Sequence, residues 1–270
     1  LPVFLANAKM SDRSARRYAA GRRLFAPPLS HVRRFYAQTE IDAERIARVA
    51  GGDDRILVTG NVKFDALPAP LTPEERLRWR ERWGVSPGEV VVLAGSTHPG
   101  EEAAIARAVA EARGKGSVLR LVVAPRHPER FSEAEEELRR VLGGVHRTSG
   151  GEEAPAEAQA VLLDEMGVLA RAFGACDIAL VGGGWAPIGG HNLLEAACHG
   201  VPVVRGPHMH AQKEIVRVLG PEDGGLCVEE RELGDGLARL ALDEAERRRL
   251  GERAAAAANS NRGAAGRVVE

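Results

Sequence analysis

The chain has 270 residues, of which 44% are hydrophobic and 28% are charged, a composition typical of globular proteins that excludes intrinsic disorder. Its 37 lysines and arginines nearly balance its 38 aspartates and glutamates, so it lacks the chain-wide positive charge of a duplex-DNA-binding protein, and no nucleic-acid partner is expected. The three cysteines, Cys176, Cys198 and Cys227, have no CxxC spacing, which excludes a disulfide framework and a cysteine-based zinc site.

Short apolar runs alternate with amphipathic stretches along most of the chain. This alternation predicts an α/β fold, with a Rossmann-like parallel sheet covered by helices on both faces. The predicted strands are Val3–Ala6, Ile56–Thr59, Val90–Ala94, Leu119–Ala124, Ala160–Leu163, Ile178–Val181, Val201–Val204 and Leu226–Val228. The predicted helices are Ser11–Phe25, Ile41–Ala50, Pro73–Trp83, Glu101–Arg113, Glu129–Val141, Glu165–Phe173, Asn192–Cys198, Glu214–Leu219 and one or two helices within Leu240–Ala258.

A proline-rich stretch, Ala66–Pro73, predicts a domain boundary, because its three prolines do not fit inside a helix or a central strand. Residues 1–67 are too few for a complete doubly wound domain and are interpreted as the remnant of an N-terminal Rossmann-like domain. Residues 68–240 are predicted to form a complete C-terminal Rossmann-like domain. Residues 241–270 are predicted to be C-terminal helices and are candidates for crossing back to the N-terminal domain.

Positive charge is concentrated between Arg13 and Gln38, where no acidic residue occurs. This basic segment contains Arg13, Arg16, Arg17, Arg22, Arg23, Arg33, Arg34 and His31. Two interpretations stay open: a surface that binds anionic head groups or phosphates, and a solvated helix face opposite Leu24, Phe25 and Val32.

Polar loops follow several predicted strands and should meet at one edge of the sheet, where open α/β sheets bind ligands. The first contains Ser96 and Thr97 before a helix start, and it predicts either a small anion cradle or an ordinary N-cap. The second contains Arg126, which is suited to a bidentate hydrogen bond with a phosphate or carboxylate. A salt bridge to an acid further along the chain is the alternative for Arg126.

The most informative loop, Val181–Glu195, has five glycines within nine residues: Gly182, Gly183, Gly184, Gly189 and Gly190. Such a loop predicts uncovered backbone amides that a ligand can approach closely. Asn192 and Glu195 follow on one side of a helical turn, where the glutamate could accept hydrogen bonds from two neighbouring hydroxyls, as on a ribose. The same spacing is typical of a capping box, and both interpretations stay open.

Two weaker patterns complete the candidate site. Met166 before Gly167 is able to lie flat against a base. His191, His208 and His210 lack supporting ligands at metal spacing, so no metal is predicted. No dinucleotide-binding GxGxxG fingerprint, phosphate-binding GxxxxGK[ST] loop or GxSxG nucleophile elbow occurs.

The chain, including these loops, resembles the C-terminal part of the 3-deoxy-D-manno-octulosonic acid (Kdo) transferases. The resemblance runs from the first residue to about Glu214. The matching blocks are LANAKMSDRSARRY (5–18), VTGNVKFD (58–65), AGSTHPGEE (94–102), VAPRHPERF (123–131), DEMGVLARAFGACDIALVGGG (164–184) and GGHNLLEAACHGVPVVRGPH (189–208).

The resemblance implies a GT-B fold and an inverting transfer of Kdo, without a cofactor, from CMP-Kdo to a phosphorylated lipid A precursor in lipopolysaccharide biosynthesis. The resemblance places the enzyme at the cytoplasmic face of the inner membrane. Arg13–Arg34 is the candidate segment for contact with the membrane surface. The general base and the membrane anchor are expected N-terminal to Leu1. This chain alone is therefore expected to bind donor without turnover.

The resemblance also assigns roles to residues of this chain. The CMP phosphate and ribose are expected to contact Arg126, His127, Asn192 and Glu195, while Met166 and Gly167 border the cytosine. The donor-binding set further contains Ser96, Thr97, Gly182, Gly183, Gly184 and His191, with Lys63 as a weaker candidate for contact with the Kdo carboxylate. Two alternatives are a GT-B enzyme that uses a UDP-sugar, either a transferase or a 2-epimerase, and a non-catalytic nucleotide-binding module.

Overall fold

A computed structural model of the protein describes residues 1–52, 54–220, 225–260 and 262–269. The chain divides into two compact units. The smaller unit comprises residues 1–66 and 259–270, and the larger unit comprises residues 67–258. The division at residues 66 and 67 falls within the proline-rich stretch, while residues 241–258 lie in the larger unit and not in a separate C-terminal segment.

The larger unit contains one parallel sheet of seven strands. Its strands are β4 Val90–Thr97, β5 Leu119–Pro125, β6 Val145–Arg147, β7 Ala160–Leu162, β8 Ile178–Val181, β9 Val203–Arg205 and β10 Gly225–Cys227. The order across the sheet is β10–β9–β8–β4–β5–β7–β6. The chain thus runs from β4 to one edge and then continues from β8 to the other edge. The switch in direction lies between β4 and β8, and such switch points form the ligand-binding crevice of open α/β sheets.

Helices pack around this sheet because its central strands are buried along their whole length, as in β5. The core contains Ile105, Leu121, Leu138 and Leu180 together with Leu250 from the C-terminal region. The helices are α4 Pro73–Arg82, α5 Glu101–Gly114, α6 Phe131–Leu142, α7 Leu169–Ala172, α8 Leu194–Ala197, α9 Lys213–Leu219, α10 Leu233–Leu242 and α11 Glu244–Ser260.

The smaller unit contains a three-stranded parallel sheet of order β1–β2–β3. Its elements are β1 Val3–Ala8, α1 Asp12–Ala20, α2 Arg22–Ser30, β2 Val32–Ala37, α3 Glu40–Ala50, β3 Ile56–Val58 and α12 Ala264–Val269. The carboxylate of Asp65 accepts hydrogen bonds from the amides of Gly263 (2.5 Å) and Ala265 (2.6 Å). Arg267 donates to the carbonyl oxygen of Thr59 at 2.9 Å. These contacts join the last helix to the beginning of the chain within this unit.

The basic segment differs from the single helix face that was one interpretation of the sequence. It spans α1, α2 and β2, and Val32 and Phe35 are buried on the strand while Arg33 and Arg34 are exposed. The pairing of β1 with β2 shifts register at this point, which inserts one extra residue into β2. This bulge separates the buried Val32 and Phe35 by three positions and interrupts the alternation typical of a strand, which Phe35 and Ala37 then follow.

Other boundaries also differ from the sequence-based prediction. The predicted helix Ser11–Phe25 is interrupted at Gly21, which separates α1 from α2. Strand β6 and helix α10 were not predicted as separate elements, and α7 begins at Leu169 and not at Glu165. In the described ranges no helix is both long enough and apolar enough to span a bilayer.

Arg120 on β5 provides a test of the core, because its side chain is only 1% exposed. Its guanidinium donates to the carbonyl oxygens of Gly84, Ala156 and Ala158 at 2.5–2.8 Å and to the carboxylate of Glu89 at 3.2 Å. We expect Arg120→Met to lower the free energy of unfolding by about 3–5 kcal/mol, because it removes the donor of three carbonyl oxygens and the cation paired with the mostly buried carboxylate of Glu89.

Urea unfolding measures this loss. Arg107→Met is the matched control, because Arg107 is 60% exposed and lies 3.4 Å from Glu230. Removal of such a surface pair costs about 0–1 kcal/mol. An Arg120→Met protein as stable as the control variant would contradict the prediction.

Candidate functional site

A cleft of about 440 Å³ lies at the carboxyl edge of the larger sheet. Loops after β4, β5, β7 and β8 converge there because these strands are neighbours and run parallel. The cleft is lined by Ser96, Ala124, Pro125, Arg126, Leu163, Glu165, Met166, Gly167, Leu169, Ala170, Phe173, Val181, His191, Asn192 and Glu195.

Seven residues of the predicted donor-binding set line this cleft: Ser96, Arg126, Met166, Gly167, His191, Asn192 and Glu195. The others lie elsewhere. Thr97 is fully buried and donates its hydroxyl to Glu102 at 2.7 Å. The ring of His127, about half exposed, lies 5.8 Å from that of His98. Lys63 belongs to a 3-10 turn in the smaller unit.

Arg126 enters the cleft directly after β5, where its amide donates to the carbonyl oxygen of Thr97 at 3.0 Å. Arg126 is exposed, and within the described part of the chain its guanidinium forms no hydrogen bond or ion pair. Arg130 forms the buried ion pair instead, at 2.9 Å from Glu102. The guanidinium of Arg126 is thus accessible to an anionic ligand.

Asn192 and Glu195 do not form the capping box that was one interpretation of their spacing. The side-chain amide of Asn192 donates to Oε1 of Glu195 at 3.1 Å, and its carbonyl oxygen accepts from the amide of Leu194 at 3.2 Å. Oε2 of Glu195 accepts no hydrogen bond from the residues that the structure describes. Asn192 therefore orients the glutamate while one carboxylate oxygen stays available to hydroxyl donors.

Ser96 adopts an unusual backbone conformation at the end of β4. Its φ of 57° lies in the left-handed region, and the pairing with β5 shifts register between Gly95 and Thr97. A non-glycine residue in this region costs about 1–2 kcal/mol, so strain of this kind persists only where the surrounding structure enforces it. The strained residue is one that lines the cleft.

The glycine-rich loop is held by a buried carboxylate that the sequence analysis did not identify. Glu101, only 3% exposed, accepts hydrogen bonds from the amides of Gly183 (2.8 and 3.0 Å), Trp185 (3.0 Å) and Ala186 (3.0 Å). It also accepts from the amide of His98 at 3.0 Å. These amides are used within the protein, contrary to the expectation that the loop leaves its amides uncovered.

Two of these glycines, Gly182 and Gly184, are required by close packing of backbone segments. A Cβ on Gly182 would lie 2.5 Å from the carbonyl oxygen of Ser96, and one on Gly184 would lie 3.0 Å from the amide nitrogen of Gly206. The amide of Gly182 donates to the carbonyl oxygen of Gly95 at 2.9 Å. The glycine pattern thus reflects the approach of the protein's own backbone.

A pair of histidines lies beside this loop. Nε2 of His98 is 2.7 Å from Nε2 of His191, and the two ring planes are nearly parallel, with an interplanar angle of 3°. Burial and the nearby His98 and Arg126 lower the pKa of His191 to about 4. Burial also lowers the pKa of His98, although Glu101 opposes this shift. His98 was not predicted as a site residue; its place next to Thr97 at a strand end was the available signal.

A second buried network supports the first loop. Glu102 is fully buried and bonds both Thr97 and Arg130. Burial disfavours the charge of Arg130, but hydrogen bonds to Glu102 and Glu133 outweigh it and raise the pKa of the guanidinium. Among the residues with described positions, no group of three or more His, Cys, Asp or Glu side chains is arranged to hold a metal ion.

Glu101→Gln tests the role of the buried carboxylate. A glutamine has one acceptor oxygen, and its NH2 group would face backbone amides that need an acceptor. We expect the free energy of unfolding to fall by about 1–3 kcal/mol for each amide left unpaired. Urea unfolding measures the loss, and Glu136→Gln on the exposed side of α6 is the control with an expected change within about 0.5 kcal/mol. Equal stability of the two variants would contradict the role given to Glu101.

Comparison with known proteins gives consistent results for both units. A family model described as 3-deoxy-D-manno-octulosonic-acid transferase (kdotransferase) matches residues 1–66. The 3-deoxy-D-manno-octulosonic acid transferase of Haemophilus influenzae is 33% identical over 278 residues, which cover 100% of this chain and 63% of the relative. The chain thus spans less than two thirds of the length of this curated relative.

Two solved structures are similar to the chain. The C-terminal CMP-Kdo binding domain of WaaA from Acinetobacter baumannii matches at 33% identity with a TM-score of 0.61, covering 68% of this chain and 96% of that domain. HepE from Anabaena, solved with UDP and glucose, matches at 16% identity with a TM-score of 0.57, covering 98% of this chain and 68% of HepE. The second similarity shows the fold alone, and the predicted α/β fold of GT-B type is confirmed. The chain belongs to the family of the 3-deoxy-D-manno-octulosonic acid transferases.

Proposed function

We propose that the cleft binds the CMP part of CMP-Kdo and that the protein takes part in the transfer of Kdo to a lipid A precursor in lipopolysaccharide biosynthesis. The observation that carries the proposal is that an accessible guanidinium, Arg126, and an available carboxylate oxygen, on Glu195, line one cleft. The solved A. baumannii domain, which binds CMP-Kdo according to its description, supports this choice of donor.

Each part of the nucleotide has a chemical counterpart in the cleft. The guanidinium of Arg126 suits a phosphate, because its planar fork donates two parallel hydrogen bonds. The carboxylate of Glu195 suits the two neighbouring hydroxyls of a ribose. Met166, 60% exposed, offers a polarisable side chain to the face of a base. Together these groups recognise an anion, a sugar and a base in one cleft.

In the proposed transfer, the bond between Kdo and the donor phosphate breaks, and the phosphate leaves with one more negative charge. Positive charge and hydrogen-bond donors that surround the phosphate lower the energy of that state. Arg126 and His191 are the groups that we assign to this stabilisation, with inversion at the sugar carbon and no cofactor. His127, about half exposed, is assigned to the outer part of the donor site.

The donor proposal predicts that CMP stabilises the 270-residue chain against thermal unfolding and that UDP stabilises it much less. Arg126→Ala is expected to weaken CMP binding about 10–100-fold, since a hydrogen bond between charged groups contributes about 1.5–3 kcal/mol. Isothermal titration calorimetry measures the affinity. Arg140→Ala, a change to an exposed arginine on α6, is the control and should bind CMP like the unchanged chain.

Two results would contradict the donor proposal. Equal affinity of Arg126→Ala and the unchanged chain would show that the phosphate binds elsewhere. Stronger stabilisation by UDP than by CMP would favour the UDP-sugar alternative.

We also propose that the smaller unit contacts the cytoplasmic face of the inner membrane, where a phosphorylated lipid acceptor is found. All seven arginines of the basic segment are exposed. The apolar side chain of Leu24, which lies in the same segment, is 73% exposed. A polybasic surface with an apolar side chain is typical of segments that bind anionic head groups.

Binding to lipid vesicles tests the membrane proposal. The chain is expected to bind vesicles that contain phosphatidylglycerol, to bind phosphatidylcholine vesicles weakly, and to dissociate as salt rises. Arg16→Ser with Arg17→Ser should weaken binding roughly 30-fold, because each arginine near the surface contributes about 1 kcal/mol. Arg248→Ser with Arg249→Ser on α11 is the control. Binding that is independent of salt and of Arg16 and Arg17 would contradict the proposal.

A further inference from the structure

The contact between His98 and His191 restricts the charge that the two rings can carry. At 2.7 Å the two Nε2 atoms must share one proton, because one atom has to donate and the other has to accept. Two imidazoles joined in this way hold either two or three protons, so the pair is either neutral or carries a single positive charge. The pair therefore titrates as a unit.

Burial and nearby positive charge favour the neutral form of this pair. Arg126 places positive charge near His191, Arg130 does so near His98, and the titratable ring of His127 lies 5.8 Å from that of His98. Glu101 and Glu102 favour the charged form of His98, but each is already bonded to other groups. Glu101 accepts four backbone amides, and Glu102 is paired with Arg130. Glu165 is paired with Arg82 at 2.5 Å, and Glu195 accepts from Asn192.

A phosphate in the cleft would change this balance. His191 and Arg126 line the same cleft, so a dianion that binds Arg126 brings one more negative charge close to the pair than Arg126 neutralises. An opposite charge within about 4–6 Å favours the charged form of an ionisable group. His98 does not line the cleft, and so it acts through His191.

We propose that the His98–His191 pair takes up one proton from solvent when a phosphate monoester dianion binds in the cleft, and that the charged pair then stabilises this dianion. The inference rests on the proposed function, because it takes the phosphate of CMP as the ligand. His98 is a positioning residue, which shares the proton and keeps His191 oriented towards the cleft.

The pair would match the charge that develops during transfer. When the bond between the sugar and the phosphate oxygen breaks, its electron pair stays on that oxygen, and a diester monoanion becomes a monoester dianion. The proton from solvent stays on an imidazole nitrogen and is donated in a hydrogen bond. The site would then distinguish the released nucleotide from the intact donor by charge.

Calorimetric titration in two buffers of different ionisation enthalpy measures the protons taken up. Near neutral pH, binding of CMP to the 270-residue chain is expected to take up about one proton per CMP. Cytidine 5′-methyl phosphate, a diester with a single negative charge, is expected to cause clearly less uptake. This comparison uses the unchanged chain and does not depend on whether a variant folds.

Variants then locate the proton. The double change His98→Gln with His191→Gln removes both rings, and it should abolish the uptake while Arg126 still supports weaker CMP binding. Each single change should lose most of the uptake, because glutamine forms hydrogen bonds but does not share a proton. His146→Gln, a change outside the cleft lining, should keep it.

Three results would overturn the inference. CMP binding by the unchanged chain without proton uptake would contradict it and leave the donor proposal standing. Full uptake in the double variant would show that the proton goes to the nucleotide or to another residue, such as His127. Absence of any CMP binding would reject the donor proposal as well.

Discussion

The carboxylate of Glu101 is the interaction on which the site depends. It stands at the start of α5, after β4, and binds three amides of the loop that follows β8. These two strands flank the switch point of the sheet. A buried carboxylate is stable only where hydrogen bonds compensate for its loss of hydration, and four amides do so here. The same contacts fix where the chain turns back toward His191 and Glu195.

The charged groups of the larger unit fall into two classes. Arg120 and Arg130 are buried, and each is paired with a carboxylate, so their charges support the fold. Arg126 is exposed at the cleft and has no such partner among the described residues. Because carboxylates neutralise the charges of Arg120 and Arg130, Arg126 is the arginine of this stretch whose charge is available to an anion.

The sequence alone predicts those strands whose hydrophobic pattern matches the burial of their side chains. The buried strands β4, β5 and β8 and the loops that follow them were predicted from apolar runs that end in small or polar residues. Strand β2 was missed because its bulge separates the buried Val32 and Phe35 by three positions, which interrupts the alternation of a strand. Strand β6 was missed because its three residues, Val145–Arg147, include two polar side chains and only partly buried positions.

Within the site, residues on separate loops could be predicted, but the contacts between them could not. Arg126 and Glu195 were identified from their positions after strands. The pairing of Glu101 with the glycine-rich loop joins residues more than 80 positions apart, and one sequence contains no signal for it. An acid in the first turn of a helix is also a common capping pattern, so Glu101 and Glu102 looked like ordinary helix-start residues.

The occupied amides bear on how this cleft can hold a phosphate. Many phosphate sites use backbone amides of a glycine-rich loop, which are permanent dipoles that do not respond to the charge of the ligand. Here the amides of Gly183, Trp185 and Ala186 are bound to Glu101. In the donor proposal, recognition of the phosphate therefore falls mainly to side chains, Arg126 and His191. A guanidinium keeps its charge at every accessible pH, whereas an imidazole changes its charge with its surroundings. In a phosphate site built on these two side chains, Arg126 binds the phosphate in either of its charge states. The contribution of His191 to the binding depends on the charge that the phosphate carries.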